Sequence, residues 1–288
     1  MSERAAENHN GHSGHGAEDL SLKSRDGYAL MAQAYWPSGK CTGRLIIAGA
    51  TAVPQGFYMR FARYAASRGL AVLTLDYRGL GRSAPADLRT LDMDYRDWAR
   101  YDLATAIDAW HDPSLPLYWV GHSYGGHALG MLPNHELLSA AYTVASGAGW
   151  HGYMPWLESL KVRLLWQVIA PVAVAVLGYM PSKKLGMGEN LPRGVYRQWR
   201  RWCSSPQYFF DDPELPEQPA LFARLTLPVM AAVASDDLWA QPASRDAFFA
   251  YFTHAKVSKK TLIPADYGVS EIGHMGYFAH RQARCGRR

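Results

Sequence analysis

The chain has 288 residues, of which 48% are hydrophobic and 19% are charged, so it buries a substantial core and is not a disordered polymer. Its formal charge is only +5, and no long basic run is interleaved with aromatic residues, which argues against a nucleic-acid-binding protein. The three cysteines, Cys41, Cys203 and Cys285, are too few and too scattered for a disulfide framework or a zinc site.

The N-terminal segment, residues 1–19, is polar and lacks the apolar core of a secretory signal. We expect a disordered tail and, with reduced cysteines, a cytoplasmic protein. His9, His12 and His15 lie in this segment, but its Gly- and Asn-bearing composition is more typical of a tail than of a metal site. No metal or cofactor is therefore predicted.

Apolar runs and turn residues predict about eight strands in the rest of the chain. In chain order they span residues 20–23, 28–35, 44–48, 71–75, 117–120, 140–145, 229–234 and 259–263. The first two read as an antiparallel hairpin around the turn at Asp26-Gly27. The later strands alternate with helical patterns, as in βαβ units, so we predict an α/β fold with a mostly parallel, doubly wound sheet.

The rhythm breaks between residues 150 and 219, where a Trp- and Pro-rich stretch shows helical periodicity and no clear strand. We interpret residues 150–219 as a helical cap inserted into a core formed by residues 20–149 and 220–288. Residues 162–180 are strongly apolar but contain Arg163, Gln167, Pro171 and Gly178, so an integral membrane span is not predicted. We expect a buried cap helix kinked near Pro171; the alternative is a lid that touches lipid or lines an apolar substrate tunnel.

Chemistry is indicated by Gly121-His122-Ser123-Tyr124-Gly125-Gly126, a G-x-S-x-G motif between a predicted strand and a predicted helix. A nucleophilic serine must protrude from a sharp turn, and the flanking glycines allow the close backbone packing that such a turn requires. Ser123 is the predicted nucleophile.

A serine hydroxyl is a weak nucleophile, so a histidine base and an orienting carboxylate should follow it along the chain. Asp236 and Asp237 come directly after the strand at 229–234, and His274 lies in a late glycine-flanked loop. We favour Asp237 over Asp236 as the acid. His274 is the favoured base, with His280 as the late alternative.

Acyl transfer also requires N–H donors for the oxyanion. The backbone N–H of Tyr124, directly after the nucleophile, is one predicted donor. The second is expected from the loop after the first parallel strand, at Ala50 or Thr51.

These motifs resemble those of the α/β-hydrolase superfamily over residues 20–278. Residues 76–83 are similar to its D-x-R-G-x-G-x-S loop, GHSYGG to its nucleophile turn, and Ser235-Asp236-Asp237 and Gly273-His274 to its acid and base loops. The branch of serine aminopeptidases and monoglyceride lipases is the most similar, and it implies a cap between strands six and seven. The chain departs from the pattern at Ala48-Gly49, where many relatives have His-Gly, and in its Cys- and Arg-bearing C-terminal tail, where relatives have a packed helix.

The sequence thus predicts a serine hydrolase that cleaves a carboxylic ester, or an amide or thioester, of an apolar acyl substrate through a covalent acyl-enzyme. Its partner would be a small acyl substrate, with peripheral lipid contact through the cap as the only membrane role. An acyltransferase with the same triad and a non-catalytic binding protein on the same scaffold are the alternatives.

Overall fold

The computed structural model of the chain describes residues 17–278. Most of the predicted tail, with His9, His12 and His15, lies outside the described residues, as do His280, Cys285 and the C-terminal segment. The first strand begins at Glu18, two residues earlier than predicted, so the end of the segment assigned to the tail is part of the sheet.

An eight-stranded sheet forms the centre of the described chain. Its strands are β1 (Glu18–Lys23), β2 (Ala29–Tyr35), β3 (Gly43–Ala48), β4 (Leu70–Leu75), β5 (Leu117–His122), β6 (Ala140–Val144), β9 (Val229–Ala234) and β10 (Val257–Leu262). They lie in the order β1-β2-β4-β3-β5-β6-β9-β10. The β1–β2 and β2–β4 pairs are antiparallel and the other pairs are parallel, which confirms the predicted mostly parallel α/β sheet.

Helices cover both faces of this sheet. The main ones are α1 (Met59–Ser67), α2 (Ala104–Trp110), α3 (Tyr124–His127), α7 (Gln218–Ala223) and α8 (Pro242–Phe249). Alternate residues of β3 belong to two separate apolar clusters: Ile46 packs in the cluster that contains α2, and Ile47 in the cluster that contains α1. Burial on both faces explains why the inner strands are continuous apolar runs.

Residues 150–219 lie between β6 and β9, the sixth and seventh strands of the main sheet in chain order. They contain the helices α4 (Trp156–Leu164), α5 (Ala170–Leu177) and α6 (Arg193–Trp202). The structure adds a short antiparallel pair that the sequence did not indicate, β7 (Tyr179–Met180) with β8 (Leu191–Pro192). The division of the chain into core and cap stays a prediction.

A π-helical turn, Leu165–Ile169, joins α4 and α5 into one helix, Trp156–Leu177. Pro171 has no N–H to donate, and the widened turn directly before it accommodates the missing hydrogen bond. By length and composition this helix could cross a membrane, with 22 residues and a mean hydropathy of 1.8.

The expectation that this helix is buried was wrong. Only one side packs on the protein, through Val162, Trp166, Ala170 and Val174. The other side is exposed to solvent and consists of Trp156, Leu157, Leu160, Leu164, Val168, Ile169, Val172 and Val176. A helix that is apolar on all sides suggests burial, but here nothing in the described chain covers its outer face.

The D-x-R-G-x-G-x-S loop after β4 holds the segments around the site together. The carboxylate of Asp76 accepts hydrogen bonds from the backbone N–H groups of Gln55 (2.8 Å) and Arg82 (3.0 Å). Gly81 has φ = +48°, and a Cβ there would lie 2.6 Å from the Asp76 carboxylate, so this position requires glycine. Tyr77 donates its hydroxyl to the carbonyl of Gly49 (2.9 Å), which fixes the loop after β3.

Candidate active site

Ser123 occupies a strained turn between β5 and α3. Its φ and ψ are +52° and −106°, a conformation that a non-glycine residue rarely adopts. A Cβ at Gly121 would lie 2.5 Å from the carbonyl oxygen of Gly125, and one at Gly125 would collide with the carbonyl of Ala48. The glycines of the motif are therefore needed for close packing, as the sequence indicated.

The structure brings His274 to Ser123 and Asp237 to His274. Nε2 of His274 lies 3.2 Å from Oγ of Ser123, and its Nδ1 lies 2.9 Å and 3.1 Å from the two carboxylate oxygens of Asp237. Because a carboxylate only accepts, Nδ1 carries the proton and Nε2 is free to accept one from the serine hydroxyl. Residues separated by 151 and 37 positions thus form one hydrogen-bonded chain.

Asp237 is fully buried at the end of β9, and its Oδ1 also accepts hydrogen bonds from the backbone N–H groups of Trp239 (2.8 Å) and Ala240 (2.9 Å). Burial alone would raise the pKa of this carboxyl, but the hydrogen bond and the electrostatic interaction with His274, together with the hydrogen bonds from the two amides, lower it below the ordinary value. Asp237 is therefore held as the carboxylate.

Asp236 has a different set of partners. Its carboxylate accepts hydrogen bonds from the backbone N–H groups of Ile272 (2.9 Å) and Gly273 (3.1 Å). It fixes the loop that carries His274 rather than the imidazole itself.

The two predicted sources of the second oxyanion donor are not equivalent. The N–H of Ala50 already donates to the hydroxyl of Tyr58 (2.7 Å), whereas the side chain of Thr51 hydrogen bonds with the hydroxyl of Tyr95. Tyr124 is the first residue of α3, and the first N–H groups of a helix have no acceptor within the helix. The amide of Ala50 is thus already used in the structure, and the N–H groups of Tyr124 and Thr51 stay predicted donors.

A hydrogen-bonded chain that the sequence did not reveal connects the loops of the site. The hydroxyl of Tyr58 lies 2.9 Å from Nδ1 of His122, and Nε2 of His122 lies 2.9 Å from the carbonyl oxygen of His274. A carbonyl only accepts, so Nε2 of His122 carries the proton and Tyr58 donates to Nδ1 while accepting from Ala50. Burial, reinforced by the nearby His274, lowers the pKa of His122 to about 3, so this imidazole stays neutral.

These hydrogen bonds connect the loop after β3 to His122, the residue before Ser123, and to the backbone of His274. Tyr58 itself lies among aromatic residues spaced like the core face of a helix, so its role could not be predicted.

A small cavity of about 30 Å³ opens beside Ser123. Its lining is mostly apolar and comprises Ser123, His127, Ala145, Gly147, Gly149, Met154, Trp166, Trp199, Cys203, Tyr208, Trp239, Ala240 and His274. A larger apolar groove of about 570 Å³ lies elsewhere, between α1 and the sheet, and contains none of the three residues above. The smaller cavity is the candidate site because it contains Ser123 and His274, although it is not the larger of the two.

Within residues 17–278, no cluster of three or more His, Cys, Asp or Glu side chains could hold a metal ion.

Comparisons with solved structures agree with the fold. The chain is similar to a soluble variant of monoglyceride lipase from Saccharomyces cerevisiae, with a TM-score of 0.62, 15% identity, and 90% of this chain and 89% of that chain covered. It is also similar to a carboxyl esterase from Bacillus coagulans, with a TM-score of 0.58, 14% identity, and coverage of 86% and 90%.

The deformylase of N-formylmaleamic acid from Pseudomonas putida S16 gives a TM-score of 0.56 at 17% identity, with coverage of 92% and 98%. At such identities the likeness shows the fold alone. The search of curated protein sequences gave no match.

The sequence itself matches the model described as "Alpha/beta hydrolase family" over residues 45–283. This match extends from the first parallel strand past the candidate base and covers most of the chain. The protein therefore belongs to the alpha/beta hydrolase family.

Proposed function

We propose that this hydrolase is a serine esterase that cleaves a carboxylic ester of a short, apolar acyl group. The observation that carries the proposal is the hydrogen-bonded arrangement of Ser123, His274 and Asp237 at a strained turn beside a cavity. A serine next to a base that is itself oriented by a carboxylate is the arrangement that nucleophilic acyl transfer requires.

In the proposed reaction, Oγ of Ser123 attacks the ester carbonyl carbon and its proton passes to Nε2 of His274. The negative charge that develops on the carbonyl oxygen is stabilised by the N–H groups of Tyr124 and Thr51. The intermediate then breaks its bond to the alkoxy oxygen, which leaves as the alcohol with the proton from His274. A water molecule then gives a proton to Nε2 of His274 and attacks the acyl carbon. The bond from that carbon to Oγ breaks, the carboxylic acid leaves, and the proton returns from His274 to Ser123. Asp237 holds the imidazole in the required tautomer throughout.

The size of the cavity supports a short acyl group. About 30 Å³ is room for roughly two water molecules. Met154, Trp166 and Trp199 form apolar walls, so a short hydrocarbon chain fits them better than a charged group.

The experiment is labelling with a fluorophosphonate probe, combined with hydrolysis of p-nitrophenyl acetate, butyrate, octanoate and palmitate. The variants are Ser123→Ala and, as a matched control, Ser67→Ala, which removes a hydroxyl from the exposed end of α1. We expect the wild type and the control to be labelled and to prefer acetate or butyrate. Ser123→Ala should lose labelling and about 10⁵-fold or more in kcat.

A folded wild-type protein that is neither labelled nor active on any of these esters would refute the proposal and favour a ligand-binding protein on the same scaffold. Turnover retained by Ser123→Ala would likewise exclude Ser123 as the nucleophile.

We further propose that the exposed apolar side of helix Trp156–Leu177 makes peripheral contact with a lipid surface. Leu160, Leu164 and Val172 are each more than half exposed, and the exposed Arg163 on the same helix adds positive charge for an anionic headgroup. Lys161 lies beside it but is paired with Glu158 (3.6 Å). The opposite side packs on the protein through Trp166 and neighbours, which supports a helix lying on a membrane rather than crossing it.

The test is sedimentation with phosphatidylcholine vesicles that contain phosphatidylserine. The double variant Leu160→Ser/Leu164→Ser should lose most of the bound fraction, whereas Ile263→Ser, an equally apolar change at an exposed residue after β10, should retain it. Equal sedimentation of all three proteins, or none by the wild type, would contradict the proposal.

A further inference from the structure

Two buried polar side chains in the Ser123 cavity each have an atom without a hydrogen-bond partner. His127 and Tyr208 are only 7% and 1% exposed, and both line the cavity. Among the described residues, nothing hydrogen bonds to Nδ1 of His127 or to the hydroxyl of Tyr208. A buried polar atom left unpaired costs about 1–3 kcal/mol, so such atoms next to a reactive serine call for a ligand.

His127 is the last residue of α3, and its side chain lines the same cavity as Ser123. Its Nε2 lies 2.8 Å from the carbonyl oxygen of Gly147, which only accepts, so Nε2 carries the proton. Nδ1 then presents a lone pair. Burial lowers the pKa of this imidazole to about 4, so it remains a neutral acceptor near neutral pH.

Tyr208 supplies the complementary group. Its ring centroid is 5.0 Å from that of His127, and burial raises the pKa of its phenol, so the hydroxyl keeps its proton and can donate it. The residue has φ = +59°, a strained value for an aromatic residue, and is held between the packed rings of Trp202 and Phe209. A donor and an acceptor without partners therefore belong to neighbouring side chains that line a mostly apolar cavity.

We propose that His127 and Tyr208 recognise a neutral hydroxyl group on the ester substrate. A hydroxyl donates its hydrogen to Nδ1 of His127 and accepts one from Tyr208, so a single group satisfies both atoms. A carboxylate fits poorly because it meets the lone pair of a neutral imidazole, and a plain alkyl chain leaves both atoms unpaired. This inference rests on the proposed esterase activity and specifies its substrate class as hydroxylated short-chain esters.

The hydroxyl could lie in either half of the ester, and two substrate pairs distinguish these sources. p-Nitrophenyl 3-hydroxybutyrate against p-nitrophenyl butyrate tests the acyl half. 2-Hydroxyethyl butyrate against propyl butyrate, which has the same number of heavy atoms, tests the alcohol half. For one of the pairs we expect the wild type to favour the hydroxylated ester by about tenfold or more in kcat/KM.

Tyr208→Phe and His127→Gln should each bring that preference toward one. The glutamine amide can still donate to the carbonyl of Gly147, and Tyr142→Phe, on the exposed side of β6, is the matched control that should keep the preference. Since the Tyr208 hydroxyl has no partner, Tyr208→Phe should unfold at a temperature equal to or above that of the wild type.

A wild type without preference in either pair would overturn the inference, and so would a preference that survives both substitutions. Fluorophosphonate labelling and hydrolysis of p-nitrophenyl butyrate separate these results from a failure of the esterase proposal. If the esterase proposal itself fails, neither labelling nor turnover will occur, and the inference about the hydroxyl group fails together with that proposal.

Discussion

The two adjacent carboxylates beside His274 have separate partners, and their substitutions should have unequal effects. Asp237→Asn replaces the group that accepts from Nδ1 of His274 with an amide that favours the wrong tautomer, so we expect kcat to fall by about 10⁴-fold. Asp236→Asn weakens one of the two hydrogen bonds that hold the backbone of the loop carrying His274, so we expect kcat to fall only about tenfold. Turnover of p-nitrophenyl acetate by the two purified variants measures the difference, and equal or reversed losses would exclude Asp237 as the orienting acid.

We expect Tyr58 to act as a positioning residue, through its hydrogen bonds with Ala50 and His122. Tyr58→Phe can neither accept from the N–H of Ala50 nor donate to His122, so the loop after β3 and the backbone of His274 lose a common anchor. We expect kcat to fall by about tenfold with little change in KM, because the lost order affects the reacting groups more than substrate binding. Tyr64→Phe, on the exposed side of α1, which begins directly after Tyr58, is the control. A rise in KM at constant kcat would place Tyr58 in substrate binding instead.

The candidate nucleophile and base could be proposed from the sequence because each lies in a local glycine-bearing pattern. The choice between Asp236 and Asp237 could not be derived from it, since consecutive residues after a strand point in different directions and only the fold determines which one meets His274. The partners of Tyr58 and Ala50 come from segments far apart in the chain, so no local pattern could identify them.

Among the larger elements, the loop after β4 shows why the D-x-R-G-x-G-x-S pattern needs its second glycine. Gly81→Ala forces a side chain onto a left-handed backbone and against the Asp76 carboxylate, which also holds the N–H of Gln55. We expect a loss of about 2–4 kcal/mol in the free energy of unfolding, measured with urea. Gly39→Ala is a suitable control because a Cβ there meets no atom within 4 Å and φ is not positive. Equal stability of the two variants would show that the loop relaxes freely.

Strands were predicted to within two residues because fully buried parallel strands leave continuous apolar runs bounded by turns. The helix Trp156–Leu177 was misjudged for the opposite reason. Its apolar residues occur on all sides, and composition alone does not tell whether protein, lipid or solvent meets each side. The residues that pack on the protein, Val162, Trp166, Ala170 and Val174, are four positions apart through the π-helical turn. The sequence alone does not reveal that turn, so it does not indicate that these four residues share one side of the helix.

For the molecule as a whole, two buried neutral imidazoles make stability depend on pH. The pKa values of His122 and His127 in the folded protein are about 3 and about 4, against 6.5 when exposed. Between pH 6.5 and 4 the unfolded chain binds more protons than the folded one, so the free energy of unfolding falls as the pH falls. At pH 5 each of the two histidines should lower the free energy of unfolding by roughly 2 kcal/mol relative to its value at pH 7.5.

Urea unfolding at a series of pH values measures this loss. His127→Gln should remove about half of the fall in the free energy of unfolding between pH 6.5 and 5. A wild-type midpoint that stays constant from pH 7.5 to 5 would show that the two imidazoles are not held neutral.

The wide separation of Ser123, Asp237 and His274 along the chain has a consequence for the order of folding. The turn at Ser123 lies between β5 and β6, both in the first half of the chain. Asp237 follows β9, which pairs with β6 and β10 across the intervening 150–219 segment, so we expect this pairing to form after that segment has folded. Parallel pairings over such distances form slowly, because the connecting chain must be ordered before the contact stabilises it. After dilution from urea, helical circular dichroism should therefore recover before ester hydrolysis, and the return of activity would report the final docking of the C-terminal strands.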